Sequence, residues 1–278
     1  MMMMTPNLSP AHTVAFTTPS TYATRLSPLL HSRNWTPLWC PTVTVHPTSS
    51  THSALIHHLQ HLNQFSAIAF TSRSGISAFS SALSSSPPPS AAEFIIAALG
   101  NDAELLTPDF LSRLSPRVKL LIPSSPTPTG LVHSLGPGSG RRVLCPVPLV
   151  SDLHEPDVVP NFLNELESAG WVPVRVNAYE TKWAGPRCAA RMLETGRVDG
   201  LIFTSTAEVE GLLKSLGEYG MGFEDVRKRW AGLVVAAHGP VTAAGAESLG
   251  VKVDVVSSKF GSFEGVVDAL DHFFTLGL

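Results

Sequence analysis

Two Phe-Thr-Ser triplets each stand between a short apolar run and a stretch of helical character, and they end in Ser72 and Ser205. A hydroxyl at such a junction can cap the helix, and the nearby backbone amides are then free to bind an anion. In open parallel sheets this junction lies at the carboxyl edge, where ligands bind. A single copy would favour an ordinary helix cap, whereas two equivalent copies favour residues that face a ligand.

Three further turns have the same character. Gly239 ends the apolar run GLVVAAHG and Thr242 follows it, while Gly100 ends EFIIAALG and Asn101 follows it. Glycine permits close approach of the backbone, and Thr242 adds a hydroxyl beside free amides. Ser262 is predicted to cap a later helix. None of these turns has the GxGxxG spacing of a dinucleotide site, so a nucleotide ligand is not favoured.

Tyr179 ends the apolar run WVPVRVNAY, where a phenol can either pack or donate a proton to a leaving hydroxyl. His57, His58 and His61 share a helix face with no carboxylate or cysteine among them, which favours a solvated face over a metal site. His238 ends a strand, and a packed and a functional histidine are both compatible with that place. The chain has no GxSxG, HExxH or DFG-like motif, so hydrolase, zinc protease and kinase functions lack support.

The elements that must position these residues alternate along the chain. Short apolar runs typical of buried strands are separated by helical segments, which predicts an α/β protein with parallel sheets covered on both faces. The predicted strands are 14–18, 37–45, 66–72, 93–100, 118–124, 141–147, 171–179, 199–205, 232–239 and 251–258. A Pro/Ser-rich loop is predicted at 84–92.

The two halves of the chain repeat the same order of segments. Ser72 and Ser205 are 133 positions apart, and so are Ser124 and Ser257, each pair in similar surroundings. Gly100 and Gly239 are 139 positions apart, and a looser match places Trp35 with Trp171 at 136, in the same order. Four coincidences at nearly one spacing indicate two copies of one βα unit.

Length and composition limit the number of domains and the possible functional classes. The chain has 278 residues, 44% of them apolar and 15% charged, which suits one large domain or two of ordinary size. The net charge of −3 argues against a general nucleic-acid binder. No apolar run approaches the roughly 20 residues that cross a bilayer, and the Met-rich start lacks the pattern of a signal peptide. Three scattered cysteines predict neither a disulfide framework nor a structural zinc site.

Charge is unevenly distributed along the chain. Residues 1–92 contain Arg25, Arg33 and Arg73 but no acidic residue, and this Ser/Thr-rich start resembles an organelle transit peptide in composition. Strand-like segments begin near Thr13, so a long cleavable leader would remove part of the fold. Composition alone leaves the cytosol and an organelle both open.

The order of motifs in the second half resembles the uroporphyrinogen-III synthase family. The motifs are Tyr179 with Thr181 after a strand, DGLIFTS at 199–205, GPVTA at 239–243 and SFEGVVDAL at 262–270. The resemblance is most specific over 143–270. The first half joins it through the internal repeat and through the triplet at 70–72.

The resemblance implies two similar α/β lobes, each with a parallel sheet, joined by a two-stranded linker with the ligand cleft between the lobes. On this sequence, residues 1–40 with 180–278 would form one discontinuous lobe and 46–171 the other. The linker strands would be 41–45 and 172–180.

The activity implied is that of a lyase of haem and chlorophyll biosynthesis, which cyclises hydroxymethylbilane to uroporphyrinogen III with inversion of the last ring. No metal or organic cofactor is expected. Tyr179 would assist loss of the substrate hydroxyl, and eight substrate carboxylates would suit helix N-termini. The implied substrate-binding residues are Ser72, Gly100, Asn101, Ser205, Gly239, Thr242 and Ser262. We expect a monomer without nucleic-acid partners or a membrane span, in the plastid stroma or alternatively the cytosol.

Three positions depart from the family pattern. The family often has Thr-Arg after the first strand, whereas Thr18 stands in place of the arginine here. Asp102 puts a negative charge beside an anionic substrate, and His238 replaces an aliphatic residue. These departures keep open a non-catalytic relative that binds a tetrapyrrole or a protein partner. A two-lobed binding protein of the periplasmic type is a third alternative, against which the missing signal peptide counts.

Overall fold

The computed structural model describes residues 12–85 and 93–276, and these contain eleven strands and eleven α-helices. The strands are β1 (Thr13–Phe16), β2 (Thr36–Trp39), β3 (Val43–His46), β4 (Ala67–Phe70), β5 (Phe94–Ala98), β6 (Val118–Leu121), β7 (Arg142–Ser151), β8 (Val172–Trp183), β9 (Gly200–Phe203), β10 (Val234–Ala237) and β11 (Val255–Val256). The helices are α1 (Ser20–Ser32), α2 (Ser49–Leu59), α3 (Arg73–Ser84), α4 (Pro108–Leu114), α5 (Pro128–Leu135), α6 (Val158–Ser168), α7 (Ala190–Leu193), α8 (Thr206–Glu218), α9 (Phe223–Arg229), α10 (Pro240–Ser248) and α11 (Phe263–Leu276).

The chain divides into two compact units. Unit 1 is formed by the chain up to residue 44 together with the chain from residue 183 onward, and unit 2 is formed by residues 45–182. Unit 2 is therefore one continuous stretch of sequence, whereas unit 1 is assembled from two stretches that the whole of unit 2 separates.

Each unit is built on a parallel sheet. The five-stranded sheet has the order β11-β10-β9-β1-β2, and the six-stranded sheet has the order β3-β8-β7-β4-β5-β6. Every pair with an assigned register is parallel, which explains the regular alternation of strands and helices, since parallel neighbours need a crossover. If each strand is replaced by its counterpart in the sequence repeat, β11-β10-β9-β1-β2 becomes β6-β5-β4-β7-β8. The prediction of an α/β protein with two similar parallel sheets is confirmed.

Alternation along the strands gives each sheet two cores. In β4, Ile68 and Phe70 belong to one hydrophobic cluster, and Ala69 to the cluster on the opposite face. In β1, Phe16 and Ala15 are divided in the same way between two clusters. Successive side chains of a strand point to opposite faces, so strands buried on both faces read as continuous apolar runs. This is the pattern that the sequence displays.

The predicted strand 37–45 is two strands that belong to different sheets. β2 joins the five-stranded sheet and β3 the six-stranded one. Pro41 lies between them, where it offers no N–H to a strand ladder, so the run of apolar residues does not continue as one strand. The apolar pattern alone does not show this break, because both pieces are strand-like.

Several other strands differ in length from their predictions, and β7 continues to Ser151 rather than ending at residue 147. β8 continues to Trp183, so Tyr179 lies within the strand rather than at its end, beside a register shift that leaves Ala178 without an opposite partner in β7. The predicted strand 251–258 is reduced to Val255–Val256. The Pro/Ser-rich loop predicted at 84–92 falls almost wholly outside the described residues, as does the Met-rich start. None of the described helices has the length and apolar character that crossing a membrane requires.

Helix α8 packs closely against the two segments of unit 1 that adjoin unit 2 in sequence, one at Thr42 and the other at Trp183. A Cβ built on Gly211 would lie 2.6 Å from the carbonyl oxygen of Thr42. The indole Nε1 of Trp183 donates to the carbonyl oxygen of Gly211 at 3.0 Å, and the hydroxyl of Thr42 donates to the carbonyl oxygen of Glu208 at 2.7 Å. The absence of a side chain at Gly211 is therefore what lets the helix reach the backbone.

We predict that Gly211→Ala lowers the free energy of unfolding by about 1–3 kcal/mol, because the added methyl group overlaps backbone that cannot rotate away. Gly217→Ala, in the same helix but with open space around it, is the matched control. It should raise stability by up to about 1 kcal/mol through helix propensity. Thermal unfolding followed by circular dichroism measures both, and equal effects from the two variants would contradict the packing argument.

Candidate functional site

In unit 2, two of the predicted site residues are in direct contact. The hydroxyls of Ser72 and Tyr179 lie 2.8 Å apart and share a hydrogen bond in which either oxygen can donate. Ser72 follows β4 and caps α3, where its Oγ accepts from the backbone N–H of Gly75 at 3.1 Å. The cap fixes the serine, and the serine in turn holds the phenol at the carboxyl edge of the sheet.

The phenol of Tyr179 is held in its protonated form. Its side chain is only 6% exposed, and this burial raises the pKa of Tyr179 to about 12. The hydrogen bond with Ser72 opposes that rise, whereas the negative charge of Asp102 adds to it. When Ser72 donates to the phenol oxygen, the phenol proton is free for a third group. The pair is therefore a donor that carries no charge before it gives up a proton.

The turn at Gly100 closes the same edge of unit 2. Gly100 has a φ of 48°, a left-handed conformation that favours glycine, and it begins a 3-10 turn that leaves Asn101 exposed. Asp102 in this turn lies 4.0 Å from the guanidinium of Arg73, which also pairs with Glu104 at 2.5 Å. The acidic charge expected to oppose an anionic substrate is therefore offset in part, because one guanidinium serves two carboxylates.

In unit 1, Ser205 belongs to a network around a buried carboxylate. Glu208 is 1% exposed, and its Oε2 accepts from the Thr17 hydroxyl at 2.8 Å and from the backbone N–H of Thr204 at 3.0 Å. Its Oε1 accepts from the hydroxyls of Thr204 at 2.5 Å and Ser205 at 3.2 Å. Burial raises the pKa of Glu208, and these hydrogen bonds oppose the rise. The network ties the ends of β1 and β9 to the start of α8.

The other predicted residues of unit 1 begin two further helices. Thr242 is buried and its hydroxyl donates to the carbonyl oxygen of Thr204 at 3.1 Å, so this hydroxyl already has a backbone partner. Gly239 caps α10 without a side chain, and a Cβ there would lie 2.9 Å from Phe260. Ser262, just before α11, binds the carboxylate of Glu264 and lowers its pKa.

A cation lies at this edge of unit 1. The guanidinium carbon of Arg25 stands 5.1 Å from the ring centroid of Phe263, and the imidazole of His238 stands 5.0 Å from the same ring. Burial lowers the pKa of His238 to about 4, and the positive charge of Arg25 adds to this effect, so the imidazole is neutral at neutral pH. Among the described residues, the Nδ1 of His238 and the buried hydroxyl of Thr18 have no hydrogen-bond partner.

The structure thus brings Ser72 and Tyr179 together, with the Gly100 turn beside them, and links Ser205 to Thr242 through Thr204. Glu208 and Arg25 were not predicted. The spacing Ser205-x-x-Glu208 is a capping-box signal that could have identified the first. No motif marks Arg25, which reaches the edge only because α1 packs beside α11. The described residues contain no group of three His, Cys, Asp or Glu side chains placed to hold a metal ion.

Comparison with solved structures shows the fold. A mutant uroporphyrinogen III synthase from the extremely thermophilic bacterium Thermus thermophilus matches 94% of this chain and all of its own, with 19% identity and a TM-score of 0.56. The wild-type protein of the same organism in another crystal form matches 96% of this chain and 99% of its own, with 18% identity and a TM-score of 0.45. A sugar-transport substrate-binding protein from Bordetella parapertussis covers 96% of this chain and 81% of its own, at 12% identity and a TM-score of 0.30.

Sequence comparison shows the family. No curated protein matches this chain in sequence. The sequence model of uroporphyrinogen-III synthase HemD, however, matches residues 24–266, which takes in most of both units. The same stretch contains the hydroxyl-bearing strand ends of both sheets. The chain belongs to the uroporphyrinogen-III synthase family, whose members are lyases of tetrapyrrole biosynthesis.

Proposed function

We propose that this protein cyclises hydroxymethylbilane to uroporphyrinogen III with inversion of the last ring, and that it needs no cofactor. Family membership supports the substrate class. The observation that carries the chemistry is the 2.8 Å hydrogen bond between Ser72 and Tyr179, because it gives a neutral proton donor at the carboxyl edge of a sheet. A neutral donor suits a substrate with many carboxylates better than an acidic side chain would.

The first chemical step is loss of the substrate hydroxyl. Tyr179 gives its phenol proton to the departing oxygen as the carbon–oxygen bond breaks, so that water leaves, and the pyrrole nitrogen supplies the electron pair. The pyrrole N–H then releases its proton, which gives the neutral azafulvene and restores the phenol. General-acid assistance of this kind contributes about 10²–10⁴-fold. With a pKa of about 12, the phenol stays protonated throughout the neutral range. Ser72 steadies the phenol oxygen during the transfer.

The later steps depend on position more than on acid–base chemistry. The azafulvene carbon must meet the substituted carbon of the last ring, pass through a spiro intermediate and close with that ring inverted. Holding the two carbons together converts an improbable encounter into a local one. Fixed hydroxyls such as Ser205, and amides at the start of α10, are suited to holding a chain in this way because they do not need to move.

The substrate carboxylates need cations or free amides. Arg25 provides a guanidinium at the edge of unit 1, although Thr18 occupies the place where the family often has arginine. Pro240 begins α10 after Gly239, which caps it without a side chain, so the first amides of that helix remain available. In unit 2 Arg73 lies beside both acids of the Gly100 turn, so one positive charge partly offsets two negative ones.

The direct test is a coupled assay in which freshly made hydroxymethylbilane is the substrate. Hydroxymethylbilane closes spontaneously to isomer I, so formation of isomer III above background identifies synthase activity. Isomer I at the spontaneous rate would instead favour a non-catalytic relative that binds a tetrapyrrole or a protein. As part of the same proposal, the acid-free start of the chain favours the plastid stroma over the cytosol, which a fluorescent fusion of the full chain would test.

We predict that Tyr179→Phe lowers the rate of isomer III formation at least about 10²-fold without abolishing it, because positioning remains when the proton donor is lost. The fold should be retained, since Ser72 keeps its hydrogen bond from Gly75. Tyr219→Phe, at an exposed tyrosine at the end of α8, is the matched control and should change nothing. Full activity in Tyr179→Phe would show that the tyrosine only packs.

We predict that Arg25→Gln raises the KM for hydroxymethylbilane about tenfold, because one guanidinium–carboxylate contact is lost. Arg197→Gln is the matched control. Arg197 lies just before β9 and pairs with Asp199, so its substitution removes the same charge from unit 1 and should leave KM unchanged. Steady-state kinetics at two salt concentrations would measure both effects. Equal KM values for the two variants would mean that Arg25 does not bind the substrate.

A further inference from the structure

Glu208 is a buried carboxylate that the proposed chemistry does not use. It lies on the third residue of α8 and is almost fully buried, yet no cation pairs with it among the described residues. Burying a carboxylate is costly unless donors surround it. The four donors that surround Glu208 come from three residues, Thr17, Thr204 and Ser205, and one of these is a predicted substrate-binding residue.

Counting the donors and acceptors fixes the orientation of the Ser205 hydroxyl. Its single proton goes to Oε1 of Glu208 at 3.2 Å, and its oxygen accepts from the backbone N–H of Glu208 at 3.4 Å. A serine hydroxyl has one proton and two lone pairs. One lone pair of Ser205 is therefore left for a ligand, and no proton is. Ser205 can accept a hydrogen bond from a substrate but cannot donate one.

An ordinary capping box explains only part of this arrangement. In a capping box the acidic side chain reaches back to the backbone N–H of the cap residue itself. Glu208 instead reaches the N–H of Thr204, one residue earlier, and the hydroxyl of Thr17 from another strand. A helix cap needs neither this burial nor the contact with β1. The burial of Glu208 and its contact with β1 do, however, hold the carboxyl group rigidly next to the Ser205 hydroxyl.

At the equivalent place in unit 2, the residue three positions after the serine is a glycine and not a glutamate. Gly75 stands three residues after Ser72, where Glu208 stands three residues after Ser205. A Cβ on Gly75 would lie 3.2 Å from the carbonyl oxygen of Pro146, so a longer side chain is not readily accommodated there. Ser72 shares its proton with a phenol and can act as donor or acceptor. The two serines of the repeat therefore differ in their chemistry.

We propose that Glu208 is a positioning residue that fixes the Ser205 hydroxyl as a hydrogen-bond acceptor, so that the edge of unit 1 at Ser205 receives a pyrrole N–H of the substrate and not a carboxylate. This inference rests on the proposed function, since the linear tetrapyrrole provides the N–H groups.

Glu208→Gln is the decisive variant because it reverses the polarity of Ser205 with almost no change in shape. The backbone N–H of Thr204 requires an oxygen at the Oε2 position, which places the new amide group at the Oε1 position. The amide then donates to the hydroxyls of Thr204 and Ser205, which both turn their protons away, and it fills the remaining lone pair of Ser205. Glu218→Gln, which removes the same charge from an exposed place on the same helix, is the control.

The experiment is a double-mutant cycle of wild type, Glu208→Gln, Ser205→Ala and the double variant, with isomer III formation from hydroxymethylbilane as the readout. We expect Glu208→Gln to raise KM about tenfold with a smaller effect on kcat, because a donor would face the substrate N–H. In the Ser205→Ala background the same substitution should change KM less than about twofold. Thermal unfolding of all four proteins records any structural effect separately, since that effect would persist without Ser205.

Three outcomes decide the matter. Wild-type protein that yields only isomer I would remove the proposed function, and with it the basis of this inference. If wild type is active but Glu208→Gln keeps the KM of wild type, only the inference is overturned. The inference is also overturned if Glu208→Gln raises KM by the same factor with and without Ser205, because Glu208 would then be a structural cap. A KM effect that depends on Ser205 supports it.

Discussion

In a parallel sheet a strand is usually followed by a helix, and the first amides of that helix have no partner within it. In both sheets of this protein those helix starts gather at one edge, because the strands run in the same direction. Ser72 and Ser205 satisfy some of the amides, while Gly239 leaves those of α10 without a side-chain cap. The need to satisfy these groups is what places hydroxyls and free N–H groups where a ligand can meet them. The candidate site in each unit follows from this constraint.

The internal repeat gives both units the same edge, but the buried charges make the two edges different. In unit 2 the acids lie on the surface beside Arg73, and the hydroxyl of Ser72 meets a phenol. In unit 1 a carboxylate is buried beneath Ser205, and Arg25 provides the positive charge nearby. Two copies of one fold therefore carry different polar groups at equivalent strand ends, a phenol beside Ser72 and a buried carboxyl group beside Ser205.

Much of the fold could be predicted because the sheets are buried on both faces and their strands read as apolar runs. The repeat indicated that the two sheets are alike, and the paired triplets located Ser72 and Ser205 at helix starts. The apolar run 37–45 does not show the break at Pro41, because both neighbouring pieces have strand composition. The family resemblance was what divided the run, with residues up to 40 in one lobe and 41–45 in a linker strand, and the pairing assigns the two pieces to different sheets. Glu208 and Arg25 were missed for another reason. Their significance lies in what packs against them from distant segments, Thr17 for one and Phe263 for the other, and no local pattern records such a contact.

The division of unit 1 into two stretches has a consequence for synthesis on the ribosome. β1 pairs with β9, whose residues lie 186 positions later in register, and the second stretch of unit 1 is made only after all of unit 2. Unit 2 emerges as one continuous stretch and can complete its sheet before β9, β10 and β11, the other strands of the sheet that contains β1 and β2, have been synthesised. During that interval the apolar residues of β1 lack the strand that will cover one of its sides. The nascent chain therefore passes through a period in which an unpaired strand is exposed, a state that favours aggregation and that chaperones shield.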